Sequence, residues 1–228
     1  MAAQTILSKN QQLLLKLIGK NKNICRFFYL TGGTALAEFY LHHRLSEDLD
    51  FFSEEEIDSQ IVFSFLKSIG NSAGIKKIVA QQSFNRNLFF LHLKDGEVVK
   101  TEFTYFPFPR IEKKNKIVDL YIDSLIDIAV NKIFTIYQKP RARDFIDLYL
   151  IIQAKNWEVS DLVKKAKIKF DWHIDPLQMA SQFLQSLSVK DYPIMLTDLK
   201  PEVWQNFFVK EARGLKEQII EFLNEISS

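Results

Sequence analysis

Residues 30–52 read LTGGTALAEFYLHHRLSEDLDFF, and no other stretch restricts the chain as much. Gly32 and Gly33 permit a tight turn and a close backbone approach to a ligand. Thr34 follows with a hydroxyl at what reads as a helix start, where N–H groups point outward. Asp48 and Asp50 alternate with Leu49 and Phe51. In a strand, that period of two puts both carboxylates on one face and both apolar side chains on the other. Two carboxylates projecting together repel unless a cation lies between them. Beside a phosphate-cradling turn, the fitting cation is Mg2+. The plainer alternative is a helix N-terminus followed by a solvated acidic turn.

Around this segment the pattern predicts an α/β (α+β) chain. Residues 4–19 place Ile6, Leu13, Leu14, Leu17 and Ile18 at helical spacings. A strand is expected over 26–31, a helix from Thr34 to about His42, and a second strand over 49–52. Ser53-Glu54-Glu55-Glu56 reads as a cap and acidic first turn of a helix burying Ile57, Ile61, Phe65 and Leu66. Strands follow at about 75–82, 86–93 and 97–104, joined by Phe84-Asn85-Arg86-Asn87 and by Lys94-Asp95-Gly96, a strong hairpin signal. Pro107 and Pro109 end the last of them, and a short strand near Ile117 to Asp119 closes the region. From Ser124 the period turns helical, over about 124–137, 141–153, 159–169, 176–187 and 201–225. Pro140, Pro176 and Pro201 fit helix starts. Phe207, Phe208, Ala212, Leu215, Ile219 and Phe222 read as the core of the last helix. The expected domains are an α/β domain over 1–120, a mixed sheet with flanking helices, and a C-terminal helical domain over 121–228.

A Gly-Gly-Thr turn before an Asp-x-Asp strand resembles the active-site motif of the nucleotidyltransferase superfamily. The closer resemblance is to AbiEii-like nucleotidyltransferases, toxins of abortive-infection (type IV) toxin–antitoxin systems. Their GGTAL, arginine, serine and paired aspartates are similar to Gly32 to Leu36, Arg44, Ser46, Asp48 and Asp50. The resemblance implies a nucleotidyltransferase-like fold and Mg2+-dependent transfer of a nucleotide from an NTP to an acceptor. Some relatives modify tRNA, so tRNA or another RNA is an implied acceptor and a cognate antitoxin an implied partner. Gly32, Gly33, Thr34, Arg44 and Ser46 would then serve the nucleotide, with Arg44 and Ser46 as supporting groups.

The family also places a third acidic residue on a strand after the hairpin. Glu102 is similar to it, in VVKTEFTYF, where Val99, Thr101 and Phe103 share one face and Lys100 and Glu102 the other. It would join Asp48 and Asp50 as a metal ligand, or act as a base. The alternative is an exposed edge-strand glutamate paired with Lys100. Further on, DIAVNKIFTIYQKPRARDFIDLYLI resembles the family's helical segment, with Lys132 as its lysine and Arg143, Asp144 and Asp147 as its RDxxD. That implies Lys132 at the triphosphate and Asp144 or Asp147 holding Lys132 or Arg143. Asp147 would approach the nucleotide or activate an acceptor. Asn131 stands where an acidic residue often precedes the lysine. A surface ion-pair network is the alternative, and Lys132→Ala is expected to cost little stability.

Composition narrows the setting. A net charge of +2 gives no argument for general nucleic-acid binding. The 20 phenylalanines read mostly as core, with base stacking as a second use. Cys25, the only cysteine, excludes an internal disulfide and reads as a buried thiol at a strand start. No signal-peptide pattern and no apolar stretch of membrane-spanning length is present, which points to a reducing cytoplasm. The basic run Lys164-Lys165-Ala166-Lys167-Ile168-Lys169 reads as a solvated helix face or as a patch for a polyanion. Two other functions stay open: nucleotidylation of a protein or small molecule, and a non-catalytic member binding nucleotide or a partner. Intact Asp48, Asp50 and Lys132 argue against the latter.

Overall fold

The computed structural model describes residues 5–113, 115–117 and 119–226, except for the side chains of 216–226. Two compact units divide the chain, residues 1–124 and 125–228.

In the first unit, α1 (Lys9–Lys20) begins only after Ser8. The Ser8 hydroxyl accepts from Gln11 N, and the Gln11 side chain accepts from Ser8 N. This reciprocal cap fixes the helix start, so residues 5–8 of the expected helix lie before it, and residue 4 is outside the described ones. Asn21 caps a short α2 (Lys22–Cys25), leaving only Tyr29–Thr31 for β1. Cys25 is therefore buried at a helix end, with Sγ 3.2 Å from the Ile18 carbonyl, and not at a strand start. α3 (Gly32–Leu36) runs on as a π-helical turn over Ala37–Leu41 and ends at His42 in the left-handed region.

β2 (Leu49–Ser53) follows. Ser53 does not cap a helix: its hydroxyl donates to the Glu55 carbonyl and accepts from Glu55 N. Asp58 is the actual cap, and α4 (Ser59–Ser68) buries Val62, Phe65 and Leu66 while Ile61 stays exposed. After α5 (Gly70–Ala73) come β3 (Ile75–Ser83), β4 (Arg86–Leu93) and β5 (Val98–Tyr105). Two short strands, β6 (Asn115–Ile117) and β7 (Leu120–Ile122), replace the single one expected at 117–119, with residue 118 outside the described ones.

The sheet has the order β3-β4-β5-β2-β1-β7-β6. β2 runs parallel to β5 and β1 parallel to β7, while the other pairs are antiparallel. Glu102 thus lies on an interior strand. Leu49 and Phe51 share a face with Thr101 and Phe103, all at most 1% exposed. Phe103 centres this face: Phe51 stacks on it at 4.9 Å, while Phe28 and Phe89 meet it edge-on at 5.0 and 6.0 Å. Alternation sends Asp48, Asp50, Lys100 and Glu102 to the other face.

The second unit is helical: α6 (Leu125–Gln138), α7 (Ala142–Lys155), α8 (Val159–Phe170), α9 (Pro176–Leu184) and α10 (Pro201–Ile226). Phe145, Phe183, Trp204 and Phe208 are among its buried rings. Ala212 is buried and Leu215 half-buried, while Ile219 and Phe222 lie outside the described side chains. The chain is thus a mixed α/β sheet with flanking helices followed by a helical region.

Because Phe103 touches rings from three directions, Phe103→Ala leaves a cavity its neighbours cannot close together. The expected loss is about 3–5 kcal/mol, read from urea unfolding at neutral pH.

Candidate active site

The register of β2 against β5 pairs Leu49 with Thr101 and Asp50 with Glu102. Side chains paired across strands share a face, so Asp50 and Glu102 stand side by side and Asp48 stands beside Lys100. Lys100 Nζ lies 2.7 Å from Asp48 Oδ2. The partner of Lys100 is therefore Asp48, not Glu102.

Glu102 is held from β4 instead. Arg86, opposite Thr104, donates from Nε to Oε1 at 2.7 Å and from Nη2 to Oε2 at 2.6 Å. The Thr104 hydroxyl adds a bond to Oε1 at 2.8 Å. Burial pushes the Glu102 carboxyl up, but Arg86 and Thr104 outweigh it and hold it below its ordinary 4.5. The bond to Glu102 raises the Arg86 pKa in turn against the opposing effect of burial, with Asp50 and Asp48 adding to the rise.

The Gly-Gly turn closes directly on these carboxylates. Gly32 has φ of 71°, and a Cβ there would meet Asp50 Oδ2 at 2.8 Å. A Cβ at Gly33 would collide with Arg44 Nη2 and stand 3.0 Å from Ser46 Oγ. Arg44 is buried and donates from Nη1 to the Leu45 carbonyl at 2.9 Å. The buried Thr34 hydroxyl donates to the Asp48 carbonyl and lies 2.8 Å from Ser46 Oγ. Gly32, Gly33, Thr34, Arg44 and Ser46 therefore form one knot that pins the Asp48–Asp50 strand to the start of α3. Thr31, at the helix N-cap, sends its hydroxyl to Asp123 Oδ2 at 2.7 Å and makes no side-chain cap bond to α3.

Asp48 and Asp50 fit a hard divalent cation. Their donors are carboxylate oxygens, the Lys100 ammonium already serves as a cation on Asp48, and a side chain at Gly32 would press on Asp50 Oδ2. Glu102 differs, since Arg86 and Thr104 engage both of its oxygens. Among the described residues, no group of three or more His, Cys, Asp or Glu side chains is arranged to hold a metal ion.

In the helical unit, Lys132 Nζ sits between Asp144 Oδ1 at 2.6 Å and Asp147 Oδ2 at 2.7 Å. Arg141 Nε completes the group at 2.8 Å from Asp144 Oδ2. Asp144 binds the arginine three residues back, the extended N-cap residue of α7, and not the adjacent, half-exposed Arg143. The two carboxylates are 1% and 0% exposed, so this is no surface network. Burial pushes the Asp144 carboxyl up, but Lys132 and Arg141 hold it below the usual range.

Sequence reasoning passed over Arg86, Arg141 and a second buried pair, Lys169 Nζ to Asp127 Oδ1 at 2.7 Å. Arg86 was within reach. The Asp-Gly hairpin sets Leu91 opposite Val99, which puts Leu88 opposite Glu102 and Arg86 one same-face step along. The basic run divides around α8: Lys164 and Lys165 are exposed, Lys169 is buried.

Two outcomes follow from these charges. Removing the Lys132 ammonium leaves two buried carboxylates facing each other, which overturns the expectation of a small stability cost. Lys132→Ala should lose about 3–5 kcal/mol in chemical denaturation. For Glu102 the folded pKa lies below the unfolded one, so its contribution is complete above about pH 4.5 and is lost as pH falls through the lowered folded value. Glu102→Gln should therefore flatten the decline of stability below pH 4.5, measured as urea midpoints from pH 7 to 3.

Residues 21–219 match the family model described as nucleotidyl transferase AbiEii toxin, type IV TA system. The uncharacterized protein aq_aa25 of Aquifex aeolicus (strain VF5) is 34% identical over 151 residues, covering 64% of this chain and 68% of that one. Among solved structures, JHP933 from Helicobacter pylori superposes with a TM-score of 0.61 at 22% identity, over 97% of this chain and 100% of that one. MenT4, the nucleotidyltransferase toxin Rv2826c from Mycobacterium tuberculosis H37Rv, superposes with a TM-score of 0.59 at 14% identity, over 91% and 84%. At these identities the two structures speak to the fold. No helix among the described residues is long and apolar enough to cross a membrane. With the family model spanning most of its length, the chain belongs to the AbiEii nucleotidyl transferase toxin family of type IV toxin–antitoxin systems.

Proposed function

We propose that this protein is a Mg2+-dependent nucleotidyltransferase that moves a nucleotide from an NTP to an RNA acceptor, tRNA included, and works as a toxin opposed by a cognate antitoxin. One observation carries the reading. Asp48 and Asp50 project on one face of β2, Glu102 stands in register beside Asp50, and the Gly32-Gly33 turn closes on the same carboxylates.

Asp48 and Asp50 would hold the ion, with Glu102 as the third carboxylate of the group. When bound, Mg2+ would neutralise phosphate charge and activate the attacking hydroxyl. Gly32 and Gly33 leave the backbone open to phosphate oxygens, while Thr34, Arg44 and Ser46 fix the strand bearing the aspartates. Arg86 orients Glu102, and its side chain is 54% exposed, so it can also meet a phosphate. The reading assigns the metal chemistry to the α/β part, 1–120, and gives the helical part, 121–228, a supporting role toward the nucleotide. There Lys132 is the triphosphate contact, Arg143 a second cation, and Asp144 and Asp147 hold Lys132 in place. The buried Cys25 thiol suits a reducing cytoplasm.

The test is to incubate the protein with each labelled NTP, Mg2+ and total cellular RNA or protein, then locate the label. Label on RNA supports the reading. Label on protein alone, or none with any NTP, sinks the RNA acceptor or the transfer itself. Asp48→Asn and Asp50→Asn each remove a charge but little volume. Both should abolish transfer and keep the wild-type circular dichroism spectrum; full activity in either would remove that residue from the site.

A further inference from the structure

We propose that Lys100 is a tethered counter-ion that competes with the divalent cation for Asp48, and thereby couples metal binding to the arrival of a triphosphate. This rests on the reading of Asp48 and Asp50 as metal ligands.

Lys100 precedes the Leu49–Thr101 pairing by one residue, so its stem leaves the sheet on the same face as Asp48. Its Nζ lies 2.7 Å from Asp48 Oδ2, where a cation bound by that carboxylate would lie. A divalent ion on that carboxylate would repel the ammonium beside it, so the two cations compete for Asp48. Lys100 and Arg86 are not equivalent cations. Arg86 is a planar fork with two bonds to a Glu102 side chain that is 7% exposed. Lys100 is a point charge on a flexible stem making one contact, with the pair 28% and 33% exposed. Such a half-wet pair opens readily, whereas the Arg86 fork resists displacement.

Without nucleotide, an incoming ion would weaken the Lys100 contact, and the released ammonium gains only water. With a triphosphate on the ion, the ammonium gains phosphate oxygens instead. Ion and triphosphate therefore bind with positive coupling, and Lys100 is the group that carries it. Lys100 is a positioning residue in this scheme.

The experiment titrates Mn2+ alone, then the preformed complex of Mn2+ with inorganic triphosphate, into the full chain by calorimetry. Lys100→Gln should bind Mn2+ alone on the order of tenfold tighter than wild type and the complex several-fold more weakly. Lys100→Met serves as a second neutral variant. Lys100→Arg keeps the charge and should bind Mn2+ alone as wild type does. Lys76→Gln makes the same charge change at an exposed position on β3 and should alter neither titration. If neither neutral variant binds Mn2+ more tightly while Asp50→Asn still abolishes binding, the counter-ion role is overturned and the metal site stands. If Asp50→Asn binds Mn2+ as wild type does, the metal reading falls and the Lys100 proposal falls with it.

Discussion

The parallel pairing of β2 with β5 is the constraint from which the rest of the α/β unit follows. It sets Leu49 and Phe51 against Thr101 and Phe103, and that dry face orders the rings around Phe103. Because side chains alternate, the same register drives Asp48, Asp50 and Glu102 together on the opposite face. Carboxylates on neighbouring strands, about 5 Å apart, repel by roughly 3 kcal/mol at an effective dielectric of 20. That rivals the roughly 1.5–3 kcal/mol gained by burying one large apolar side chain. The whole apolar face outweighs one such repulsion, and cations beside the acids offset it further. Lys100 and Arg86 are those cations, and each reaches its carboxylate from a strand that the same sheet places there. A slip of one residue would put Phe103 among the charges and Glu102 among the rings, so the register is strongly specified.

The glycines contribute by what they lack. A side chain at Gly32 would press on the Asp50 carboxylate, and one at Gly33 would displace the Arg44 guanidinium. With both absent, a buried arginine, a serine and a threonine crosslink the helix start to the Asp48 backbone. The aspartates are thereby carried on a braced strand and not on a free loop. Preorganisation of this kind is what phosphoryl chemistry draws on, since the protein's part there is positioning and charge.

Where local periodicity decided the structure, the sequence was readable. The alternation at 48–51, the Asp-Gly hairpin and the helices beginning at Pro176 and Pro201 all depend on neighbours a few residues away. Misreadings arose where two local signals competed. Ser53 followed by three glutamates has a capping composition, yet the strand runs through Ser53, whose hydroxyl turns to Glu55; the helix waits for Asp58. Asn21 caps a short helix inside what read as approach to a strand. The RARD segment offered two arginines, and Asp144 pairs with Arg141, the extended N-cap residue of α7, and not with Arg143. The partner of Lys100 was hidden for another reason. Its choice of Asp48 depends on a parallel pairing between segments some fifty residues apart, which no local pattern encodes.

The ion pairs settle their charges in two ways, and desolvation explains the contrast. Lys132 with Asp144 and Asp147, and Lys169 with Asp127, are buried to 10% exposure or less. Opening such a pair strands an ion in a poorly solvated interior, at about 3–5 kcal/mol when one partner is lost, so these groups hold fixed positions. Lys100 and Asp48 keep about a third of their surface in water, and a pair of that kind is worth at most about 1 kcal/mol. In the proposed reading, only an exchangeable charge of this second kind can yield when a metal and phosphate arrive. The exchangeable pair sits on the braced strand beside the Gly-Gly turn, where exchange can occur without disturbing the apolar face beneath it.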